Sequence, residues 1–302
     1  MTAATAMSRG DYLRALGVVG IWGMNFVVMK LGLQTLSPMM LGALRFAVAS
    51  LPFLAFVPRP RVPWRFVIIY GLVQGVGQFG LLFLALRLGM TSGMASVVMQ
   101  SQAFFTLILA APLLGERARR HQWVGLAIAA VGLAVIAVGH GDGPGQMTLI
   151  GFVLTLGASF MWASSNLVVR FAGRVAPNYD PFALIVWSSV VPVVPFLVLA
   201  VATEGAAHSF ASVTSIGLRE GFAVLYLALL ATLLAYTMWT RLLKRHPAGR
   251  VAPFSLLVPI VGLWAGAIVF GEQLPMVQWI GTAAVLGGLL VNQFGLRLLG
   301  RH

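Results

Sequence analysis

The chain consists mainly of apolar runs that are nearly free of charge. A bilayer core about 30 Å thick requires roughly 20 apolar residues per helix. Ten runs of this size, separated by charged and turn-forming residues, predict ten membrane-spanning helices and leave no room for a soluble domain. The predicted spans are 12–33, 38–58, 66–87, 91–114, 122–139, 148–170, 181–202, 219–241, 248–270 and 276–297.

Composition and net charge would indicate different partners if the spans were ignored. Hydrophobic residues make up 59% of the chain and charged residues only 9%, where a soluble domain carries about 25% charged residues. The formal net charge of +13 is typical of proteins that bind nucleic acid. The distribution of the basic residues therefore decides what this charge means.

Most basic residues lie in alternate connections between the spans. Cytoplasmic loops of membrane proteins carry the excess of Lys and Arg, so this pattern predicts a lipid bilayer as partner, no nucleic acid, and both termini in the cytoplasm. The predicted outer loops, around Asp142 and 204–208, contain no Lys or Arg. The predicted inner basic residues are Arg9, Arg14, Arg59, Arg61, Arg65, Arg117, Arg119, Arg120, Arg170, Arg174, Arg241, Lys244, Arg245, Arg250, Arg297 and Arg301.

Lys30 and Arg45 are cations within the predicted spans that do not belong to this inner set. We expect both to lie near the outer ends of their helices and to extend their charged ends to the lipid headgroups. The alternative for Lys30 is that it attracts a carboxylate at the outward mouth of a transport path.

The two halves of the chain repeat each other. Gly115-Glu116 and the following Gln122-Trp123-x-Gly125 recur as Gly271-Glu272 and Gln278-Trp279-x-Gly281, at an offset of 156 residues, the distance from Gly115 to Gly271. A looser echo links the first and sixth spans: Trp22, Asn25 and Lys30 with Trp162, Asn166 and Arg170. The predicted halves are 1–140 and 145–302, joined by the turn-rich segment 139–145.

Each half contains five predicted helices. Because five is odd, the second half must enter the membrane from the opposite side, which gives an inverted repeat. Such repeats are typical of transporters, with the substrate site near the bilayer midplane. The predicted fold class is therefore an all-α integral membrane protein of ten transmembrane helices, arranged as two inverted five-helix repeats.

An ordered series of motifs resembles the duplicated half-units of the drug/metabolite transporter superfamily, of the EamA-like type. The resemblance implies a ten-helix inner-membrane exporter of small metabolites whose cavity is lined by helices 1, 3, 4, 6, 8 and 9. The motifs are Trp22-Gly23-Met24-Asn25-Phe26 with Lys30, Ser37-Pro38, Leu44-Arg45-Phe46, Ala85-Leu86, Gly93-Met94-Ala95-Ser96 and Gly115-Glu116.

Within that superfamily the chain is most similar to the bacterial amino-acid exporters. This group includes an aromatic amino-acid exporter and a cysteine/O-acetylserine exporter. The segment 100–106 resembles the second of these, whereas a pocket rich in Trp and Tyr would suit the first.

Polar and aromatic side chains in the middle of the spans are the candidates for substrate binding, because a polar group in hydrocarbon needs a partner or a wet cavity. Gln74 and Gln78 share one helix face, where the alternative is packing between helices. Of Gln100 and Gln102 we expect only Gln102 to reach the cavity. The predicted substrate-binding residues are Trp22, Asn25, Gln74, Gln78, Gln102, Trp162, Asn166, Tyr236, Trp239 and Trp264.

Glycines, prolines and two repeated glutamates are the candidates for moving parts. Glu116 and Glu272 end the fourth and ninth spans on opposite faces of the membrane, as gate contacts or as structural pairs with nearby Arg or backbone groups. The predicted hinge and gate residues are Gly71, Gly75, Gly77, Pro253, Pro259, Glu116 and Glu272. Glycine seams in the fifth and tenth spans either pack within the chain or form a homodimer.

No Asp or Glu lies at mid-depth in any predicted span, and the five His residues lie in loops, at helix ends or at the C-terminus. We therefore predict no catalytic residues, no metal site, no cofactor and no buried proton relay. The predicted function is uncoupled export of apolar and aromatic amino acids by alternating access. The alternatives are a multidrug exporter for aromatic cations and a proton-coupled antiporter of cysteine-pathway metabolites.

Overall fold

The computed structural model describes residues 7–116, 118–141, 143, 145–246 and 248–298, and these residues form helices and no strands. Nine of the helices in this part of the chain are long and apolar enough to cross a membrane, and Pro38–Phe53 is a shorter apolar helix. In chain order they are α1 Arg9–Gly32, α2 Pro38–Phe53, α3 Trp64–Arg87, α4 Ser92–Leu114, α5 Arg120–Val138, α6 Leu149–Val175, α7 Pro181–Glu204, α8 Leu218–Leu243, α9 Pro253–Phe270 and α10 Met276–Gly295.

Hydroxyl side chains set where several helices begin. The side chain of Ser37 accepts a hydrogen bond from the backbone N–H of Met40, and Pro38 occupies the first position of α2. Thr91 and Thr148 cap α4 and α6 in the same way. These caps satisfy backbone donors that have no partner within the helix, so each helix starts at a defined residue.

The structure differs from the predicted spans at several places. Helix α6 continues to Val175 instead of residue 170, and α9 begins at Pro253 instead of residue 248. Helix α2 ends at Phe53 instead of residue 58, and the predicted outer loop after Glu204 contains a short helix, Ala206–Thr214. Arg117, Asp142 and Arg301, which entered the charge pattern, lie outside the described residues.

Two long helices change their winding at corresponding places. Helix α3 is π-helical over Gly71–Phe79 and α8 over Tyr226–Leu234, segments that the 156-residue offset superimposes to within one residue. π-Helical turns occur frequently at functional sites, because they interrupt the regular ladder of hydrogen bonds. The predicted hinge glycines Gly71, Gly75 and Gly77 all lie in the first of these segments.

Helices α5 and α10 pack against each other through reciprocal glycine contacts. A methyl group added at Gly125 would lie 2.5 Å from the carbonyl oxygen of Gly288, and one added at Gly132 would lie 2.8 Å from that of Gly281. Early α5 therefore contacts late α10 and the reverse, so the two helices are antiparallel. The glycine seams pack within the chain, which is the first of the two alternatives considered for them.

Candidate functional site

A cavity of about 380 Å³ lies between the helices. Its wall includes residues of α1, α3, α4, α6, α8 and α9, the six helices that the family resemblance implies, and also residues of α2 and α7. Eight of the ten predicted substrate-binding residues lie in this wall: Trp22, Asn25, Gln78, Gln102, Trp162, Asn166, Tyr236 and Trp239.

Three aromatic rings join α1 to α8 at the cavity. The ring of Trp22 lies 5.1 Å from that of Tyr236 and 5.4 Å from that of Trp239, centroid to centroid. The indole Nε1 of Trp22 donates to the carbonyl oxygen of Ala231 at 3.2 Å. Because its polar atom is already bonded, this Trp presents an apolar face to anything bound beside it.

Amide side chains elsewhere in the cavity wall form hydrogen bonds between neighbouring helices. Asn166 donates from Nδ2 to Oε1 of Gln102 at 3.0 Å, which links α6 to α4. Gln100 donates to the carbonyl oxygen of Ser255 at 3.2 Å, which links α4 to α9. The expectation that only one of the two glutamines reaches the cavity was wrong. They point to different neighbouring helices, and the cavity lies along both contacts.

Two amide oxygens in the wall have no hydrogen-bond partner. Gln78 is 3% exposed and Asn25 is 7% exposed, and Oε1 of the first and Oδ1 of the second are buried and unpaired. A buried acceptor without a donor costs free energy. A ligand with N–H groups would supply the missing donors once the two side chains turn these covered oxygens toward the cavity.

Gln74 and the neighbouring glycines lie behind the cavity. Gln74 donates to the hydroxyl of Tyr236 at 2.9 Å and lines a separate small pocket. Gly71 and Gly75 lie against α7, where added methyl groups would come within 2.5 Å of the Ser188 carbonyl oxygen and 2.6 Å of Pro192. This is the helix-packing alternative, and the glycines provide no space for a substrate.

Trp264 lies away from the cavity, so its inclusion among the cavity residues was wrong. Its side chain is 68% exposed and belongs to a pocket on the outside of α9 and α10, beside Trp279. Helix α9 is apolar all round, so its sequence does not show which side faces inward.

Arg45 is the largest departure from expectation, because it does not extend to the headgroups. Its side chain is 1% exposed and lies in the cavity wall, near the middle of α2. Nε and Nη2 donate to the hydroxyl oxygen of Thr232 at 3.2 and 3.0 Å, and the guanidinium carbon lies 3.8 Å from the ring centre of Phe79. The sequence signal for this placement was that seven residues of the predicted span 38–58 precede Arg45.

Comparison with known proteins identifies the family. The model of the EamA-like transporter family matches residues 11–138 and again residues 149–293. The chain belongs to the EamA-like transporter family. This confirms the resemblance that the motifs carry.

Two relatives match nearly the whole length of this transporter. A protein of Salmonella typhimurium strain LT2 is 42% identical to this chain over 292 residues, and the match covers 97% of each chain. A protein of Escherichia coli strain K12 is 40% identical over 291 residues, which cover 96% of this chain and 97% of the relative. Both relatives are named "Probable amino-acid metabolite efflux pump". A crystal structure with 20% identity and a TM-score of 0.63 covers 97% of this chain and 99% of its own, and shows the same fold.

Two ion pairs of this EamA-like transporter occupy corresponding positions in its halves. Lys30 Nζ lies 2.8 Å from Glu272 Oε1, and Arg170 Nη1 lies 3.1 Å from Glu116 Oε2. The first carboxylate is 3% exposed and the second 46% exposed. Lys30 therefore meets a carboxylate of its own chain instead of lipid headgroups, and each of the two glutamates pairs with a cation of the other half of the chain.

Glu272 also caps α4. Its two oxygens accept from the backbone N–H groups of Ser92 and Gly93 at 2.7 and 2.9 Å, and Oε1 accepts from the hydroxyl of Ser92 at 2.9 Å. A negative charge at a helix N-terminus is favourable because the unpaired N–H groups carry partial positive charge. The ends of α1 and α9 and the start of α4 are thereby joined at one carboxylate.

The cavity wall supplies hydrogen bonds, aromatic surface and one cation. None of the residues described in the wall is acidic, and no group of three or more His, Cys, Asp or Glu side chains occurs among the described residues. Tyr179, in the connection between α6 and α7, also lines the cavity, and burial raises the pKa of its phenol. This arrangement can bind a small polar molecule with an apolar portion.

Proposed function

We infer that this protein exports amino acids and related metabolites across a bacterial inner membrane. The observation that carries the proposal is the cavity between the helices, whose wall combines unpaired amide oxygens with a cluster of aromatic rings. The two relatives at 42% and 40% identity, each named "Probable amino-acid metabolite efflux pump", support the same substrate class.

The wall has groups for two parts of an amino acid. An ammonium group carries several N–H donors, and Oε1 of Gln78 and Oδ1 of Asn25 are buried acceptors that have none. The rings of Trp22, Tyr236 and Trp239 offer apolar surface for a side chain. Aromatic and other apolar amino acids are therefore the preferred substrates in this proposal.

The proposed architecture is ten transmembrane helices in two inverted repeats, 1–140 and 145–302. Three observations support it: the family model matches twice, the π-helical segments of α3 and α8 correspond under the 156-residue offset, and the equivalent helices α5 and α10 are antiparallel. Basic residues in alternate connections support cytoplasmic termini.

In that orientation the cavity extends toward the cytoplasm. Its wall includes Tyr179 after α6 and Leu243 at the end of α8, which both lie on the inner side. On the outer side, the Lys30–Glu272 pair holds α1, α4 and α9 together. Alternating access then consists of breaking this pair while the inner end closes, with bending at Gly71, Gly75 and Gly77 of α3 and at Pro253 and Pro259 of α9.

Uncoupled transport is the energetic part of the proposal. A proton antiporter needs a group in the transport path that takes up and releases a proton, and mid-membrane carboxylates are the common carriers. The cavity wall as described contains none. The same lack of acid weighs against the alternative of a multidrug exporter, because an aromatic cation would meet Arg45 and no opposite charge.

Counterflow in proteoliposomes tests the proposal. Vesicles loaded with each of the twenty amino acids are assayed for uptake of the labelled compound, with Trp162→Ala as the cavity variant and Trp264→Ala as the matched control outside the cavity. We expect exchange of apolar and aromatic amino acids that falls at least several-fold in Trp162→Ala and is unchanged in Trp264→Ala. Absence of exchange for all twenty would refute the function.

The same vesicles test the coupling and the alternatives. If transport is uncoupled, an imposed pH gradient does not drive an amino acid against its own concentration gradient. If the protein is an amino-acid exporter and not a multidrug exporter, a cationic dye does not compete with the amino acid. Accumulation driven by the pH gradient would instead show proton antiport, and competition by the dye would show a multidrug exporter.

A further inference from the structure

The cavity wall holds a positive charge that no acid neutralises. In the part of the chain that the structure describes, every ion pair uses a cation other than Arg45. A charge removed from water is costly unless an opposite charge compensates it, and charged side chains within a membrane protein generally mark substrate paths. The buried guanidinium beside the cavity is therefore in need of an anion.

The guanidinium is held in place, but not all of its nitrogens have hydrogen-bond partners. Thr232 accepts from Nε and Nη2 and donates its own proton to the carbonyl oxygen of Leu227 at 2.8 Å, so its hydroxyl is fully used. Phe79 covers the plane of the guanidinium. The remaining nitrogen, Nη1, is buried and has no hydrogen-bond partner.

The helices on either side explain why the group is fixed. The bond from Thr232 to Leu227 spans five residues and lies in the π-helical segment of α8. Phe79 ends the π-helical segment of α3. Arg45 on α2 thus contacts both unusually wound segments, one in each half of the chain.

We propose that Arg45 binds the carboxylate of the transported amino acid and makes the site selective for substrates that carry one. This rests on the proposed function and extends it, because Gln78 and Asn25 supply acceptors for the ammonium group only. A carboxylate at Nη1 provides both the missing hydrogen bond and the missing negative charge. Nη1 is covered by neighbouring atoms, so these atoms move aside when the carboxylate binds, while Thr232 keeps the guanidinium oriented.

Inhibition of counterflow by paired probes tests this role. Phenylalanine and phenylalaninamide have nearly the same shape, but only the first has a carboxylate. If another amino acid exchanges faster in the panel of twenty, that amino acid and its amide are the probes. For the wild type we expect the amide to bind roughly 10- to 100-fold more weakly, since a charge-assisted hydrogen bond is lost.

Variants at Arg45 should remove this preference. In Arg45→Gln the two probes bind with affinities within about threefold of each other, because the acid loses its partner. Arg45→Lys keeps the charge and retains part of the preference. The matched control is Arg87→Gln. Arg87, at the end of α3, is exposed and donates to the carbonyl oxygen of Leu33.

A second position covers the case in which Arg45→Gln does not fold. Thr232→Val removes the acceptor that orients the guanidinium and should reduce the ratio between acid and amide several-fold, whereas Thr232→Ser keeps the hydroxyl and the ratio. A purely structural Arg45 would change stability or overall rate in these variants but not the ratio.

The outcomes separate this inference from the function on which it rests. If wild-type vesicles exchange no amino acid, the proposed function has failed. If they exchange amino acids but the amide binds as well as the acid, or if Arg45→Gln keeps the wild-type ratio, only the role of Arg45 is refuted.

Discussion

Lys30 Nζ lies 2.8 Å from Glu272 Oε1, and this single contact connects the end of α1 to the end of α9 across 242 residues of sequence. The same carboxylate caps the start of α4, so three helices meet at one negative charge. The corresponding pair in the other half, Arg170 with Glu116, is exposed to a similar degree on both partners, 44% and 46%. The two pairs therefore differ in burial, with the Glu272 carboxylate shielded from water and the Glu116 carboxylate exposed to it.

Glu272→Gln should destabilise the protein by roughly 3 kcal/mol, because removing one partner of a buried pair leaves an uncompensated charge and weakens the cap. Thermal unfolding in detergent measures this loss. If Glu272→Gln unfolds at the same temperature as the wild type, the carboxylate does not hold the three helices together.

The glutamate of the exposed pair should behave differently. Glu116→Gln removes an ion pair that water already screens, so we expect a change within about 1 kcal/mol. Thermal unfolding under identical conditions provides the comparison. Equal effects of the Glu116 and Glu272 substitutions would contradict the difference in burial.

Breaking the buried pair should also open the cavity from the outer side. The chain contains no cysteine, so Ser96→Cys, at the cavity wall, introduces a single reactive thiol. An impermeant maleimide added outside intact cells should label this thiol at least several-fold faster when Glu272→Gln is also present. The control is Glu116→Gln in the same background, and faster outside labelling there would contradict an outer gate at Lys30 and Glu272.

The seam between α5 and α10 should tolerate no added methyl group. In Gly288→Ala the new Cβ would lie 2.5 Å from the carbonyl oxygen of Gly125, so we expect a loss of roughly 1 to 3 kcal/mol. The neighbouring Gly287→Ala is a matched control, because nothing lies within 4 Å of its added Cβ. It should be neutral or stabilising by up to about 1 kcal/mol through helix propensity. Equal melting temperatures for the two variants would contradict the close approach.

The hydroxyl of Tyr236 should matter for stability more than for binding. It accepts the bond from Gln74, whose Oε1 already lacks a partner, so Tyr236→Phe removes a hydrogen bond from an incompletely paired buried amide. We expect a loss of roughly 1 to 3 kcal/mol with amino-acid affinity nearly unchanged. Unfolding and counterflow measured on the same preparation separate the two effects, and a large loss of affinity would place the hydroxyl in the binding site.

Much of the site was predictable where the repeat supplied a second copy of the same signal. Trp22 and Asn25 in α1 and Trp162 and Asn166 in α6 recur in the two halves, and the structure places all four at the cavity. Polar groups in an apolar span rarely face lipid, so their inward orientation follows from elementary solvation.

The sequence by itself determined most of the helix positions, the internal repeat and the family, because apolar length, the 156-residue offset and the motifs are properties of the linear chain. Only the tertiary structure decided that Arg45 bonds Thr232, 187 residues away, that Trp264 faces outward, and that Gln74 supports Tyr236. A helix that is apolar on all sides has no periodic signal for its inner face. Which side meets the cavity is then set by packing against other helices, which a linear pattern does not record.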